Sequence, residues 1–240
     1  MQVASASISN SGGREANQDA ISEVWMLNKS TYCWALADGL GGHKGGEVAA
    51  GLFIRSVTES FVTYAGDPLA GLPAFIERAH QLIQEFQSKD DDLREMRTTG
   101  VLFAIDGEYA QWAHCGDSRL YVFRSSAIHA QTEDQSVPQS LVKLGQILPS
   151  EIRHHEDRNR LTQCLGTPGA QKALLGERLK IEPGDAFLLC SDGFWELLLE
   201  PEMLIDLCKA MTAADWLDLM LDRLRQRMKS GDDNYSAIAI

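Results

Sequence analysis

The chain has 240 residues, 44% of them hydrophobic and 23% charged, enough to bury a sizeable core in one large domain or two small ones. Lysine and arginine total 22 against 34 aspartates and glutamates, and the resulting net charge of −12 opposes non-specific binding to nucleic acid or an anionic membrane. No run is long enough to span a bilayer, and Met1-Gln-Val-Ala-Ser-Ala-Ser-Ile has neither a basic start nor a long apolar centre. Cysteines 33, 115, 164, 190 and 208 are scattered and mostly inside apolar runs, so they read as reduced core residues of a cytoplasmic protein.

In chain order, Ala20–Trp25 and Tyr32–Ala37 are apolar runs of strand length. A helix is predicted from about Gly46 to Phe61, with Ala49, Leu52, Phe53, Val57 and Phe61 inward, and a second from the three- and four-residue steps of Leu72, Phe75, Ile76, Ala79, Leu82, Ile83 and Phe86. Val101–Ile105 and Tyr109–Cys115 flank Asp106-Gly107 as a hairpin, and Leu120–Phe123 is a further buried strand. Residues 133–163 are polar, with weak helical signals, and form a surface excursion of the kind that often flanks an active site. Ala186–Cys190 is another buried strand, Leu217, Met220, Leu221, Leu224 and Met228 mark a helix, and Tyr235–Ile240 closes the chain as a strand. Helices come in separated pairs and not one per strand, which favours an α+β protein of packed sheets with helices outside. With no linker, repeat or low-complexity tract, residues 1–240 are expected to form a single domain.

Four aspartates, Asp19, Asp38, Asp192 and Asp233, each sit where an apolar run meets a turn. If the runs are strands of one unit, carboxylates from both halves of the chain can converge at one end of a sheet, and such hard oxygen ligands suit Mg²⁺ or Mn²⁺. Asp before Gly or Asn is also ordinary turn punctuation, so on the residues alone both readings stand. What favours ligands is the repetition of strand then Asp-Gly at 38-39 and 192-193, since glycine lets a backbone carbonyl approach an ion. Asp90-Asp-Asp92 lacks the turn glycine and terminal glutamate of an EF-hand and reads as a solvated helix end or loop. His154-His155 reads as surface, and Gly41–Gly46 departs from a nucleotide loop because Lys44 is followed by glycine.

Arg14-Glu-Ala-Asn-Gln-Asp19, Asp38-Gly-Leu-Gly-Gly-His-Lys-Gly-Gly-Glu-Val-Ala49, Gly116-Asp-Ser-Arg119, Ser191-Asp-Gly193 and Asp233-Asn234 follow one another in that order. Together they resemble the metal-dependent protein serine/threonine phosphatases of the PP2C (PPM) family, in particular the compact bacterial members, over essentially the whole chain. The resemblance implies a β-sandwich of two antiparallel sheets flanked by helix pairs, in α-β-β-α layers, with a metal centre at one end. It implies hydrolysis of phosphoserine and phosphothreonine by a hydroxide bridging two Mn²⁺ or Mg²⁺ ions, with no covalent enzyme intermediate. Asp38 matches the bridging ligand, Gly39 a carbonyl ligand, and Asp192 and Asp233 the ligands of the second ion; Asp38, Asp192 and Asp233 thus carry catalysis. Asp19 matches the first-motif acid, and Asp117, with Asp192, the acid of a weaker third ion. Arg14 falls at the phosphate-binding position, where its planar fork can hold two oxygens.

Some positions depart from the pattern. Leu40 stands where animal members carry a histidine proposed as general acid, and His43, nearby on the glycine-rich turn, is expected to order that turn. Gln18 replaces a common Glu, Arg97 the usual Gly before Thr98-Thr99, and Gln135 a common His. None of these removes a carboxylate ligand. The rival readings are a pseudophosphatase that binds phosphoproteins without turnover, favoured by loss of Asp38, Asp192 or Asp233, and a sigma-factor-switch phosphatase acting on one anti-sigma antagonist. The resemblance places a serine/threonine kinase, its forkhead-associated target and type VI secretion among the partners, with the chain a monomer.

Overall fold

The computed structural model describes residues 3–22, 24–41, 45–169 and 173–240. Strands β1 (Ala6–Asn10), β2 (Ala20–Ile21), β3 (Trp25–Asn28), β4 (Thr31–Ala37) and β5 (Gly39–Leu40) lead into helices α1 (Gly45–Thr63) and α2 (Pro68–Gln87). There follow β6 (Arg97–Thr98), β7 (Gly100–Asp106), β8 (Tyr109–Cys115), β9 (Arg119–Arg124) and β10 (Ala127–Gln131). A short helix α3 (Val137–Lys143) and a 3₁₀ turn (Pro149–His154) interrupt the polar excursion. The chain closes with β11 (Leu174–Leu175), β12 (Leu179–Lys180), β13 (Ala186–Cys190), α4 (Asp192–Trp195), α5 (Glu200–Lys209), α6 (Ala213–Arg227) and β14 (Tyr235–Ala239).

Two antiparallel sheets face each other. One runs β1-β14-β13-β9-β10; the other runs β11-β8-β7-β4-β2, with β12 on β8 and β3 on β4. Trp34, Leu36, Val101 and Phe103 from one sheet meet Leu120, Val122, Phe187, Leu189 and Ile238 from the other in a dry central layer. On the outer faces, α1 and α2 seal Cys33, Ala35, Leu102 and Ala104, while α5 and α6 seal Tyr121, Leu188, Cys190 and Ala237. Strands β4, β7 and β13 are covered on both faces, which is why they read as unbroken apolar runs. The expected α-β-β-α sandwich is therefore the observed one.

Local chemistry explains the connections. Asp106 pairs with Tyr109 across a two-residue turn in which Gly107 takes φ +61°, the left-handed value that such a hairpin needs at its first position. The β9–β10 hairpin turns through Ser125 and Ser126, at φ 51° and 59°, without glycine or asparagine to announce it; β10 was not foreseen for that reason. The run Ala20–Trp25 is not one strand. Ser22 leaves the ladder and binds Ala35 through both its amide and its hydroxyl, which separates β2 from β3. The pairing α5 with α6 includes a helix, Glu200–Lys209, that no clear apolar period marked. Among the described residues no helix is long and apolar enough to cross a membrane.

Candidate metal centre

The sheet ends assemble the site. At the C-terminal end of β4, the Asp38 amide donates to Thr99 Oγ1 (3.0 Å), and its carbonyl accepts from the Thr99 amide (2.8 Å) and the Thr98 hydroxyl (2.8 Å). This locks the backbone that presents the Asp38 carboxylate and the Gly39 carbonyl. Gly39 must be glycine: a Cβ there would lie 2.2 Å from the Gly46 carbonyl oxygen and 2.6 Å from that of Gln18. Antiparallel pairing of β2 with β4, Ala20 opposite Ala37, brings Asp19 alongside Asp38.

The second half of the site comes from β13 and β14. The Ser191 amide donates to the Ser236 carbonyl (3.0 Å) and the Ser236 amide to Ser191 Oγ (2.9 Å), so Asp192, opening α4, and Asp233, preceding β14, are neighbours. Gly193 is packed so tightly under Asn234 that a Cβ would stand 2.0 Å from its carbonyl oxygen. The Asn234 side chain in turn accepts from the Gln18 amide (2.8 Å) and donates to the Ser11 and Ala16 carbonyls (2.8 and 2.9 Å), closing the loop that carries Arg14 onto the strand ends. Asp117 lies on the tight β8–β9 turn. Its carbonyl accepts from Trp195 Nε1 (3.0 Å), and the preceding Gly116 amide donates to Gln135 Oε1 (2.9 Å).

These residues line a cleft of about 150 Å³ formed by Arg14, Gln18, Asp38, Gly39, Leu40, Gly41, Asp117, Asn159, Leu161, Asp192 and Asp233. A larger cleft of about 930 Å³ opens at the opposite end of the strands, around Gly107 and Gly184. The smaller one is the functional candidate because the carboxylates converge there. Asp19 is not among the lining residues; it is buried, and its Oδ2 accepts from the Ser191 hydroxyl (2.8 Å). Arg14, about half exposed, donates Nη2 to Asp233 Oδ2 at 3.1 Å. His43 lies outside the described residues. Asp90 caps a 3₁₀ turn through the Asp92 amide, on the exposed surface, and His154 is exposed, as the sequence suggested.

The electrostatics are those of crowded acids. Burial, then the charges of Asp192, Asp19 and Asp117, hold the Asp38 carboxyl well above the ordinary carboxylate range. Asp117 is raised in the same way by burial and by Asp192 and Asp134, and Asp192 by burial and Asp233. Burial, opposed by hydrogen bonds from Ser236 and Ser191 and reinforced by Asp192 and Asp233, pushes Asp19 up to about 7. One carboxylate oxygen each of Asp19 and Asp192 is buried without a hydrogen-bond partner. A cation would relieve all of these strains at once, so the donor set fits a hard divalent ion. Among the described residues no three such side chains close on one point as a ready-made cage. Mg²⁺ and its like keep most of their water and need only one or two carboxylates each, so paired acids around an open cleft suffice.

Sequence reasoning did not find Asn159 and Leu161 in the lining or Trp195 behind Asp117. The polarity of residues 133–163 signals an excursion near the site, but no local pattern says which of its residues reach the cleft.

A family model described as Protein phosphatase 2C matches residues 9–230 of the chain. The protein phosphatase PhpP of Streptococcus pneumoniae is 31% identical over 194 residues, spanning 79% of this chain and 78% of that protein. The crystal structure of the catalytic domain of the serine/threonine protein phosphatase PstP in complex with two manganese ions superposes with a TM-score of 0.81 at 29% identity, over 98% of this chain and 96% of that one. PppA of Pseudomonas aeruginosa, described as a key regulatory component of its type VI secretion system, superposes with a TM-score of 0.78 at 27% identity over the same shares.

Proposed function

This chain belongs to the protein phosphatase 2C family and is a bacterial-type serine/threonine protein phosphatase, and from that premise we propose which residues do the work. Asp38, Asp192 and Asp233 are the catalytic acids and, with the Gly39 carbonyl, would hold two Mn²⁺ or Mg²⁺ ions; Asp19 would support the cluster, and Asp117 with Asp192 would take a weaker third ion. When bound, such ions lower the pKa of water in the cleft and neutralise charge that builds on the phosphoryl oxygens. The Arg14 fork grips two phosphoryl oxygens and sets the substrate's angle of entry, exchanging its contact with Asp233 for the phosphate. Leu40 has no proton to give, so the leaving serine or threonine alkoxide takes its proton from water in the open cleft.

The observation that carries this reading is the convergence of mutually repelling acids in one cleft beside a half-exposed arginine. All three acids whose loss would favour a pseudophosphatase are present. We further infer that residues 1–240 act as one catalytic domain, a monomer in the cytoplasm, reversing a bacterial serine/threonine kinase on a target such as a forkhead-associated protein. The likeness to PppA supports a place beside type VI secretion. Activity on a single anti-sigma antagonist, with indifference to generic phosphopeptides, is the result that would move the substrate assignment to a sigma-factor switch.

The test is hydrolysis of p-nitrophenyl phosphate and phosphothreonine peptides with and without Mn²⁺ or Mg²⁺. Chelation should abolish turnover and metal should restore it. Asp38→Asn and Asp192→Asn should each lose kcat by a factor on the order of 10² or more with the fold retained, while the exposed Asp90→Asn behaves as the parent. Full turnover in excess chelator, or normal kcat in both core variants at saturating metal, would overturn the mechanism.

A further inference from the structure

Arg97 is the residue at this site with the least explained surroundings. It pairs directly across the β5–β6 ladder with Leu40, and residues directly opposite on antiparallel strands project from the same face. Leu40 lines the cleft, and Arg97, which is not itself in the lining, flanks it from the neighbouring strand. From Arg97 the chain runs through Thr98, which pairs with Leu165, to Thr99, whose hydroxyl meets that of Ser118 (2.7 Å) next to Asp117.

The guanidinium is poorly satisfied where it stands. Its Nε–H is covered by protein and has no acceptor, and its Nη2 donates only to Glu95 (3.2 Å). The Arg97 side chain is 39% exposed and that of Glu95 77%, so their contact is solvent-screened and readily exchanged. A donor group with five N–H bonds, one loose acceptor and a place beside a residue that lines an acidic cleft is suited to a ligand carboxylate or phosphate. In a chain of net charge −12, an anionic side chain beside the phosphoresidue would otherwise be repelled, and a local cation reverses that preference.

We propose that Arg97 is a specificity residue that selects phosphoprotein segments carrying an anionic side chain, Asp, Glu or a second phosphoresidue, next to the phosphoserine or phosphothreonine. The proposal rests on the phosphatase reading above and names the substrate class of that same cleft. Arg97 touches the flank of the substrate and neither the phosphoryl group nor an ion.

The experiment uses phosphothreonine peptides identical except at the flanking positions, which carry Asp, phosphoserine, Ala or Lys in turn. The parent should hydrolyse the Asp and phosphoserine peptides with kcat/KM about three- to tenfold above the Lys peptides, mostly through KM. Arg97→Gly should bring that ratio close to one, and Arg97→Lys should keep part of it. The Asp and phosphoserine series separate a carboxylate from a second phosphate as the recognised anion. An unchanged ratio in Arg97→Gly would overturn the proposal, as would an equal loss on every peptide and on p-nitrophenyl phosphate, which has no flank. Fluorescence anisotropy with non-hydrolysable phosphonate versions of the same peptides reads the preference without turnover. An enzyme that binds the acidic versions through Arg97 but hydrolyses nothing would therefore defeat the phosphatase reading and leave this one standing.

Discussion

Arg14 shows how one side chain can serve two partners. Its Nη2 contact with Asp233 at 3.1 Å is a single hydrogen bond between groups that are each about half exposed, so solvent weakens it and a phosphate can displace it. Arg14→Ala should raise KM for phosphopeptides and lower kcat/KM about tenfold, the lower end of what a charge-assisted contact is worth, while Mn²⁺ affinity stays close to that of the parent. Arg14→Lys should recover only part of the loss, because a point charge cannot make a two-pronged contact. Calorimetric titration with Mn²⁺ beside steady-state kinetics decides between roles. A large fall in Mn²⁺ affinity with KM unchanged would mean that Arg14 orders Asp233 and does not bind substrate.

At the level of elements, the pairing of α5 with α6 depends on ions as well as on apolar packing. Glu202 accepts from the Leu199 amide (3.1 Å) to cap α5 and from Arg227 Nη1 (2.7 Å) on α6, and buried Asp206 takes Arg223 through two hydrogen bonds of 2.6 and 2.8 Å. The Arg227 contact, acting against partial burial and helped by the Leu199 amide and Arg223, pulls Glu202 down from its ordinary 4.5 to about 2. A carboxylate depressed in the folded state contributes stability that is fully present above its unfolded value and is lost as pH falls through the folded one. The contribution of Glu202 should therefore disappear between about pH 4.5 and about pH 2. Urea midpoints measured across that window should fall less steeply for Glu202→Gln than for the parent. Parallel curves for the two proteins would show that the pair does not couple acid to unfolding.

At the scale of the whole molecule, two separately sealed cores and a central layer hold the four strand ends that carry Asp19, Asp38, Asp192 and Asp233 in register. That rigidity confines like charges in one place and stores their repulsion in the folded state. An ion that neutralises them binds the native form and not the unfolded chain, in which the acids are far apart. At a hundredfold excess over its dissociation constant, such an ion adds about 2.7 kcal/mol of stability. For a chain of this size that corresponds to a rise in Tm of about 5–10 °C. Calorimetric scans with Mn²⁺ and with chelator should show the difference, and Asp38→Asn should largely abolish it. An equal Tm in both conditions would mean that the acids do not hold an ion.

Much of this protein was legible without coordinates, because its information is local. Covered strands such as β4, β7 and β13 must be continuously apolar, and helices packed on one face must repeat every three to four residues, so the elements announce themselves. The order of the acidic motifs marked the family for the same reason: each short segment carries its own turn chemistry. What stayed hidden is what distant residues do to one another. Glycine-free turning at Ser125-Ser126, the break at Ser22 held by Ala35, and a cap on α5 completed by Arg227 all depend on partners supplied by the fold. So do the place of Asn159 and Leu161 along the cleft and the contact of Trp195 with Asp117. Residue types and their local periods belong to the sequence by itself; which acids share a cleft, which arginine lines it beside them, and how far burial raises each carboxyl were decided only when the two sheets closed on each other, since desolvation and Coulomb energy depend on distances that the chain acquires by folding.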